Sequence, residues 1–371
     1  MKCYFALTEP DSTNQVYIDL LEVTLKSAVK NTSLDLYALY DGKVGSPCYS
    51  LLKSYNVSVI PHKFSHEQFL PSVYPESYMK RQYGKAISYK KIAGTFMRLD
   101  IPFIEKDDAF VLYCDIDVLF NSDIRLEELP KPQYLAAAPE FEKDITKMSS
   151  FNAGILLLNV PNMKEKISEI FTCLKKGERN SSGLFDQGYL NQFCFKDMDL
   201  LPIEFNWKPY WGINPQAKII HFHGMKPNGN IDNSGFTMKP SVHYRILKGH
   251  PLDFEGLVYY NMLFFETLGK DGKQWISSYL TNVFITNLSH ANNKSSLSKI
   301  KNKYFSYFKY FGDIRSSFIK KIKELGGVKY SYSTNIYKNG IKNKGNFNKN
   351  WTYAFCSPSS VTCALMKFFW S

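Results

Sequence analysis

The chain has 371 residues, 44% hydrophobic and 22% charged, a globular mix with enough apolar material for a large core, which excludes a wholly disordered chain. A length of this order predicts two or three domains, or one large α/β domain with an appendage. The net charge is +12, yet residues 291–371 hold 15 basic and 2 acidic side chains, so the first 290 residues stand at −1. A nucleic-acid enzyme with a basic groove would spread its charge through the body, so no nucleic-acid partner is expected.

Seven cysteines at 3, 48, 114, 173, 194, 356 and 363 show no CxxC pair. They read as reduced thiols in a cytosolic setting, not as a disulfide frame or zinc site. The run Met1 to Pro10 lacks the apolar stretch of a signal peptide, and no window has the 18 clean apolar residues of a membrane span. A cytoplasmic protein is expected, peripheral on a membrane at most.

In chain order, residues 2–8 read as a strand, and 16–30 as a helix with Val16, Leu20, Val23 and Ser27 on one face. Leu34 to Tyr40 is a second strand closed by the turn signal Asp41-Gly42. Ser46-Pro47 opens a helix to 55, and Asn56 to Ile60 is a third strand. Strand, helix, strand, helix, strand is the grammar of a parallel α/β sheet. Residues 61–83, with three prolines, several aromatics and two histidines, predict a long loop covering the substrate side of the sheet. A helix over 85–100 ends before Pro102. Ala109 to Cys114, Tyr134 to Ala138, Gly154 to Val160 and Lys218 to Phe222 read as strands. Pro161 opens a helix that buries Met163, Ile167, Ile170, Phe171 and Leu174, and Phe185 to Phe195 is another. Past about 250 the alternation fades.

Two carboxylates, Asp115 and Asp117, follow the buried strand that ends at Cys114. In extended chain, residues two apart point to the same side, about 6–7 Å apart. Their repulsion there is about 3 kcal/mol at an effective dielectric near 20. A hard divalent cation removes that penalty and prefers one or two carboxylates plus phosphate oxygens. Three readings are open for the pair. One is the metal site. Another is a turn cap beside a solvated acid. The third is the nucleophile and general acid of a haloacid-dehalogenase-like phosphatase, although that motif normally follows the first strand of its domain. A second signal is His221-Phe222-His223-Gly224, with Lys226-Pro227 after it, at the end of a strand. An imidazole can complete a metal site, glycine admits a diphosphate close to the backbone, and lysine is a mobile cation for it. Phe151-Asn152-Ala153-Gly154 and the run from Asp186-Gln187 to Asn191 add amides and an acid suited to sugar hydroxyls, though either could be an ordinary turn or cap.

Taken in order, these four motifs, with Arg98-Leu99-Asp100-Ile101-Pro102 ahead of the first, resemble family 8 glycosyltransferases over about residues 1–250. The resemblance departs at Asn228, where the family usually has tryptophan, and the N-terminal nucleotide segment is matched only loosely by Ala6, Thr8 and Tyr17. It implies a GT-A fold, a Rossmann-like mixed α/β sheet flanked by helices, in a domain over 1–250. A basic, aromatic extension over 251–371 follows. It implies a UDP-sugar donor and Mn²⁺ or Mg²⁺ held by Asp115, Asp117 and His221. Ala6, Thr8, Tyr17, Arg98, Asp115, Gly224 and Lys226 would bind the nucleotide-sugar, with His223 beside the metal or on the phosphate side. Asn152, Asp186 and Gln187 would act at the transferred sugar. The implied reaction is retaining transfer of a hexose to a glycan or glycolipid hydroxyl, in bacterial surface polysaccharide or lipopolysaccharide synthesis. A non-catalytic module that binds a nucleotide-sugar remains an alternative. Lysines and aromatics in blocks over 299–325, with Phe318, Ile319, Ile322 and Leu325 as an apolar stripe, suit contact with an anionic membrane through 291–350.

Overall fold

A computed structural model describes residues 1–10, 14–84, 87–182, 184–224, 226–227 and 254–271. Four strands, β1 (Lys2–Thr8), β2 (Asp35–Asp41), β3 (Ser58–Pro61) and β4 (Phe110–Cys114), run parallel. The next strand in space, β7 (Phe151–Asn159), runs antiparallel to β4 and to β6 (Leu135–Pro139), and β8 (Asp199–Leu200) closes the edge. The order is β3-β2-β1-β4-β7-β6-β8. A separate antiparallel pair joins β5 (Val118–Phe120) to β9 (Ile219–His221). The sheet is therefore mixed, where the strand–helix alternation of the first 60 residues predicts a parallel one. The parallel rule holds as far as β4 and fails where β7 returns beside it.

The central strands are buried on both faces, because successive side chains enter different cores. Tyr4, Val111, Tyr113, Leu156 and Leu158 fill one core; Cys3, Phe5, Leu112, Cys114, Ile155 and Leu157 fill the other. The helix α1 (Gln15–Asn31) covers the second core with Leu21, Leu25 and Ala28, joined by Leu52 of α2 (Pro47–Ser54). Asn14 caps α1 by accepting from the Tyr17 N–H. The first core lies under α7 (Val160–Lys175) and α8 (Phe185–Cys194). The stripe Met163, Ile167, Ile170, Phe171 and Leu174 is buried as its spacing predicts.

Segment 61–83 is not the predicted loop. It folds into α3 (Leu70–Val73) and α4 (Glu76–Tyr83), and Leu70, Val73, Tyr74 and Met79 are buried in the first core. Its prolines do not break helices. Pro71 lies in the first turn of α3 and Pro75 is the cap of α4, positions where a missing N–H costs nothing. The predicted 85–100 helix is likewise α5 (Tyr89–Phe96), a tight turn over Met97–Asp100, and α6 (Ile101–Ile104), which carries Pro102 in its first turn. β5 and β8, of three and two residues, had no readable pattern.

By contacts the chain divides after Tyr260. Beyond that point only 261–271 are described, and they complete a helix, Phe254–Thr267, that begins in the first unit. The basic segment 291–350 lies outside the described residues. Among the described residues Cys3, Cys48, Cys114, Cys173 and Cys194 are free thiols, and no helix is long and apolar enough to cross a membrane.

Candidate active site

The site lies where the sheet changes direction, between the ends of β4 and β7. Strand β4 stops at Cys114, and the turn that follows is pinned from three sides. The Asp115 N–H donates to the Gly154 carbonyl of β7 at 2.7 Å, and the Phe222 N–H donates to the Asp117 carbonyl at 3.0 Å. The Thr24 hydroxyl of α1 lies 2.7 Å from the Ile116 carbonyl and 2.8 Å from that of Val118. Thus Asp115 and Asp117 are held by backbone geometry, in a turn instead of the predicted extended strand. One ligand atom each from Asp115, Asp117 and His221 lies within 4.8 Å of the others.

These residues fit a divalent cation. Asp117 Oδ1 is buried and makes no hydrogen bond, and it faces His221 Nε2 at 3.3 Å. Gly154 forms the floor. A Cβ there would run into the His221 ring and come within 3.0 Å of Asn152 Oδ1 and of Asp115 Oδ2. Two carboxylate oxygens and an imidazole nitrogen are a donor set for Mn²⁺ or Mg²⁺.

Arg98 joins this group to Asp186. Its Nη2 lies 3.0 Å from Asp115 Oδ1 and its Nε 2.9 Å from Asp186 Oδ2, while Nη1 donates to the Ala153 carbonyl. The guanidinium stacks 4.5 Å over the Tyr113 ring, whose hydroxyl donates to Asp115 Oδ1 at 2.6 Å. Burial opposes the Arg98 charge, but Asp115 and Asp186 outweigh it and hold the group firmly protonated. Burial raises the Asp115 and Asp186 carboxyls above their ordinary range against the pull of Arg98, and at Asp115 the neighbouring Asp117 adds to the rise. Asp117 goes the other way. Burial opposes its ionisation, yet Lys226 holds it well below the carboxylate range.

Lys226 donates to Asp117 Oδ2, and to the Phe222 carbonyl at 2.9 Å. Gly224 sits at φ 79°, a conformation that suits glycine. His221 and His223, whose ring centroids are 5.5 Å apart, take different partners. His221 turns to Asp117, whereas His223 places Nε2 3.1 Å from Glu140 Oε1 and Nδ1 2.9 Å from the Tyr210 hydroxyl. Burial lowers the pKa of the His221 imidazole against the pull of Asp117.

Asn152 and Gln187 meet at Glu140. The Gln187 amide donates to Glu140 Oε2 at 2.7 Å and the Asn152 amide at 3.1 Å, and the Ala153 N–H donates to Gln187 Oε1 at 2.9 Å. Burial opposes the Glu140 charge, but His223 keeps its carboxyl below the ordinary range. Behind it, Lys208 is fully buried, donates to the Pro139 carbonyl at 2.6 Å and stacks 4.4 Å over Trp211. Burial brings its pKa down to about 7 despite Glu140 and Glu142. Ala6 and Thr8 end β1 beside β4, on the parallel side of the site, with the Thr8 methyl packed against Gly94 of α5. Tyr17, in the first turn of α1, has a hydroxyl whose pKa burial raises, with Cys48, Glu9 and Asp115 adding to the rise.

Sequence reasoning missed Tyr113, Glu140, Asn206, Lys208 and Tyr210. Glu140 had a signal, an acid directly after an apolar strand, as at Asp115. Asn206 and Lys208 lie in and just after a tight turn with no pattern to find.

The family model for glycosyl transferase family 8 matches residues 12–231, more than half of the sequence, and the chain belongs to that family. This sets aside the phosphatase reading of Asp115 and Asp117. A protein of Haemophilus influenzae named as a glycosyltransferase is 27% identical over 217 residues, 53% of this chain and 62% of that protein. Glycosyltransferase GlyB of Streptococcus pneumoniae serotype 4 is 24% identical over 242 residues, 59% of this chain and 57% of its own length. The chain thus spans about 60% of the length of these relatives. Among solved structures, the galactosyltransferase LgtC in complex with donor and acceptor sugar analogs is 18% identical with a TM-score of 0.42, covering 67% of this chain and 96% of that one.

Proposed function

We propose that this chain is a metal-dependent, retaining glycosyltransferase that moves a hexose from a UDP-sugar to a hydroxyl of a glycan or glycolipid, in the assembly of a bacterial surface polysaccharide or lipopolysaccharide. The observation that carries the reading is the gathering of Asp115, Asp117 and His221 within 4.8 Å of one another. A divalent cation there, Mn²⁺ or Mg²⁺, would neutralise the charge of the UDP pyrophosphate. Lys226, half-exposed beside Asp117, adds a mobile positive charge for the departing diphosphate. Ala6, Thr8 and Tyr17 line the nucleotide side, and Gly224 admits the pyrophosphate close to the backbone. Asn152, Asp186 and Gln187 hold the sugar. Asp186 is buried and ion-paired to Arg98, so it is poorly placed to form a covalent bond to the anomeric carbon. Attack by the acceptor hydroxyl on the face that the diphosphate leaves, with a phosphate oxygen taking the proton, keeps the configuration without a protein nucleophile.

UDP release from a panel of UDP-hexoses, with and without Mn²⁺, tests this reading. Turnover of a UDP-hexose that stops when the metal is removed is the expected result. UDP binding without turnover would leave a binding module instead. The proposal extends to domains and location: 1–250 carries the chemistry, and the basic 291–350 segment holds a cytoplasmic protein on the inner, anionic membrane face. Loss of vesicle binding on removal of 291–371 checks it, and undiminished binding refutes it.

A further inference from the structure

The hydrogen bonds behind His221 have a direction. Glu140 is a carboxylate and only accepts, and the Asn152 amide nitrogen donates to its Oε2 at 3.1 Å. The Gly154 backbone N–H only donates, and it reaches Asn152 Oδ1 at 3.1 Å. The Asn152 amide is thereby fixed from both ends, with its oxygen turned inward. That oxygen also accepts from the Asn206 amide nitrogen at 3.1 Å. The Asn206 oxygen is then the atom left facing His221 Nδ1, at 3.0 Å. An oxygen has no proton to give, so the contact is a hydrogen bond only if Nδ1 carries the proton. Asn206 and His221 are buried among protein groups, so no solvent exchange of partners relaxes the order.

A proton on Nδ1 leaves a lone pair on Nε2 in the neutral ring. Nε2 lies 3.3 Å from Asp117 Oδ1. Two lone pairs face each other there, an arrangement that suits a cation between them.

We infer that Asn206 is a positioning residue that holds His221 in the Nδ1–H form and aims a bare Nε2 at the ion, its own orientation being set through Asn152 by Glu140 and the Gly154 N–H. The inference rests on the metal reading above, and goes beyond it by naming the group that prepares the ligand. Partners behind a metal-bound histidine fix its ring and proton, and their loss weakens metal binding about 10- to 100-fold.

The test uses the full chain with nitrogen-labelled histidine. Long-range proton–nitrogen spectra of the metal-free protein, in the neutral state of the ring, read which nitrogen of His221 is protonated; His221→Ala assigns the signal. The wild type should show Nδ1–H. Asn206→Leu, close in shape and without an acceptor, should move the proton wholly or partly to Nε2 and weaken Mn²⁺ binding, followed by calorimetry, by about 10- to 100-fold. An Nε2–H ring in the wild type overturns the inference without recourse to any variant. So does an Asn206→Leu protein with unchanged proton position and Mn²⁺ affinity. A wild type that binds no Mn²⁺ overturns the metal reading itself, a result distinct from either.

Discussion

Arg98 bridges the carboxylates of Asp115 and Asp186, and its removal is the sharpest perturbation the site offers. Arg98→Met keeps most of the apolar stem but strips the partner from Asp115 at 3.0 Å and Asp186 at 2.9 Å. Breaking a buried ion pair by removing one partner costs about 3–5 kcal/mol, because the remaining charge stays desolvated. Asp115 is 29% exposed and recovers some hydration, whereas Asp186 at 5% does not, so Asp186 dominates and the cost falls near the lower end. For a domain of this size each kcal/mol lowers the melting temperature by about 2–4 °C, so a fall of about 6–12 °C is expected at pH 7.5. Both carboxyls already titrate above the ordinary range in the wild type, and loss of Arg98 raises them further. A raised carboxyl costs its full amount above its folded pKa, and the cost fades as the pH falls from there towards the unfolded value. The deficit should therefore shrink as the pH falls from 8 towards 5. Arg98→Lys should be intermediate, since an ammonium lacks the planar fork that reaches both acids. Calorimetric melting of the three proteins across this range is the assay. A deficit below about 2 °C at pH 7.5, or one that grows on acidification, refutes the reasoning.

Asp117→Asn removes the charge that faces His221 Nε2 and should weaken Mn²⁺ binding at least about 100-fold by calorimetry, with the far-ultraviolet spectrum unchanged. Gly154→Ala forces a methyl group into the His221 ring. The resulting repacking should cost about 1–3 kcal/mol in denaturant melts. A ring displaced by about 1 Å should cut glycosyl transfer about 100-fold, read as UDP release. Lys208, lowered to about 7 by burial, is neutral in the fold but protonated in the unfolded chain from there up to its ordinary value of 10.5. The unfolded state binds the extra proton over that window, so stability rises with pH across it, and Lys208→Met should flatten the rise in urea titrations at pH 7 to 10.

The parts of this site that sequence made legible are those whose residues break a local expectation. Two acids directly after an apolar strand, or a glycine between a histidine and a lysine, cost something locally and so stand out against the pattern around them. Asp115, Asp117, His221 and Gly224 were found in this way. Long amphipathic elements were legible for a related reason, since the stripe from Met163 to Leu174 repeats often enough to fix its period. Pairing direction was not. The strand from Phe151 is equally apolar whether it runs with β4 or against it. Pro71, Pro75 and Pro102 misled because a proline reads the same at the start of a helix as after its end. Asn206 was invisible because its importance lies in the direction of its hydrogen bonds, a property of partners brought together by the fold.

The turn after β4 is shared property. The parallel strands on one side and the returning strands on the other meet only along β4, and both borrow the same short loop to complete their share of the pocket. A change at β6 and β8 would therefore reach Asp115 and Asp117 through β7.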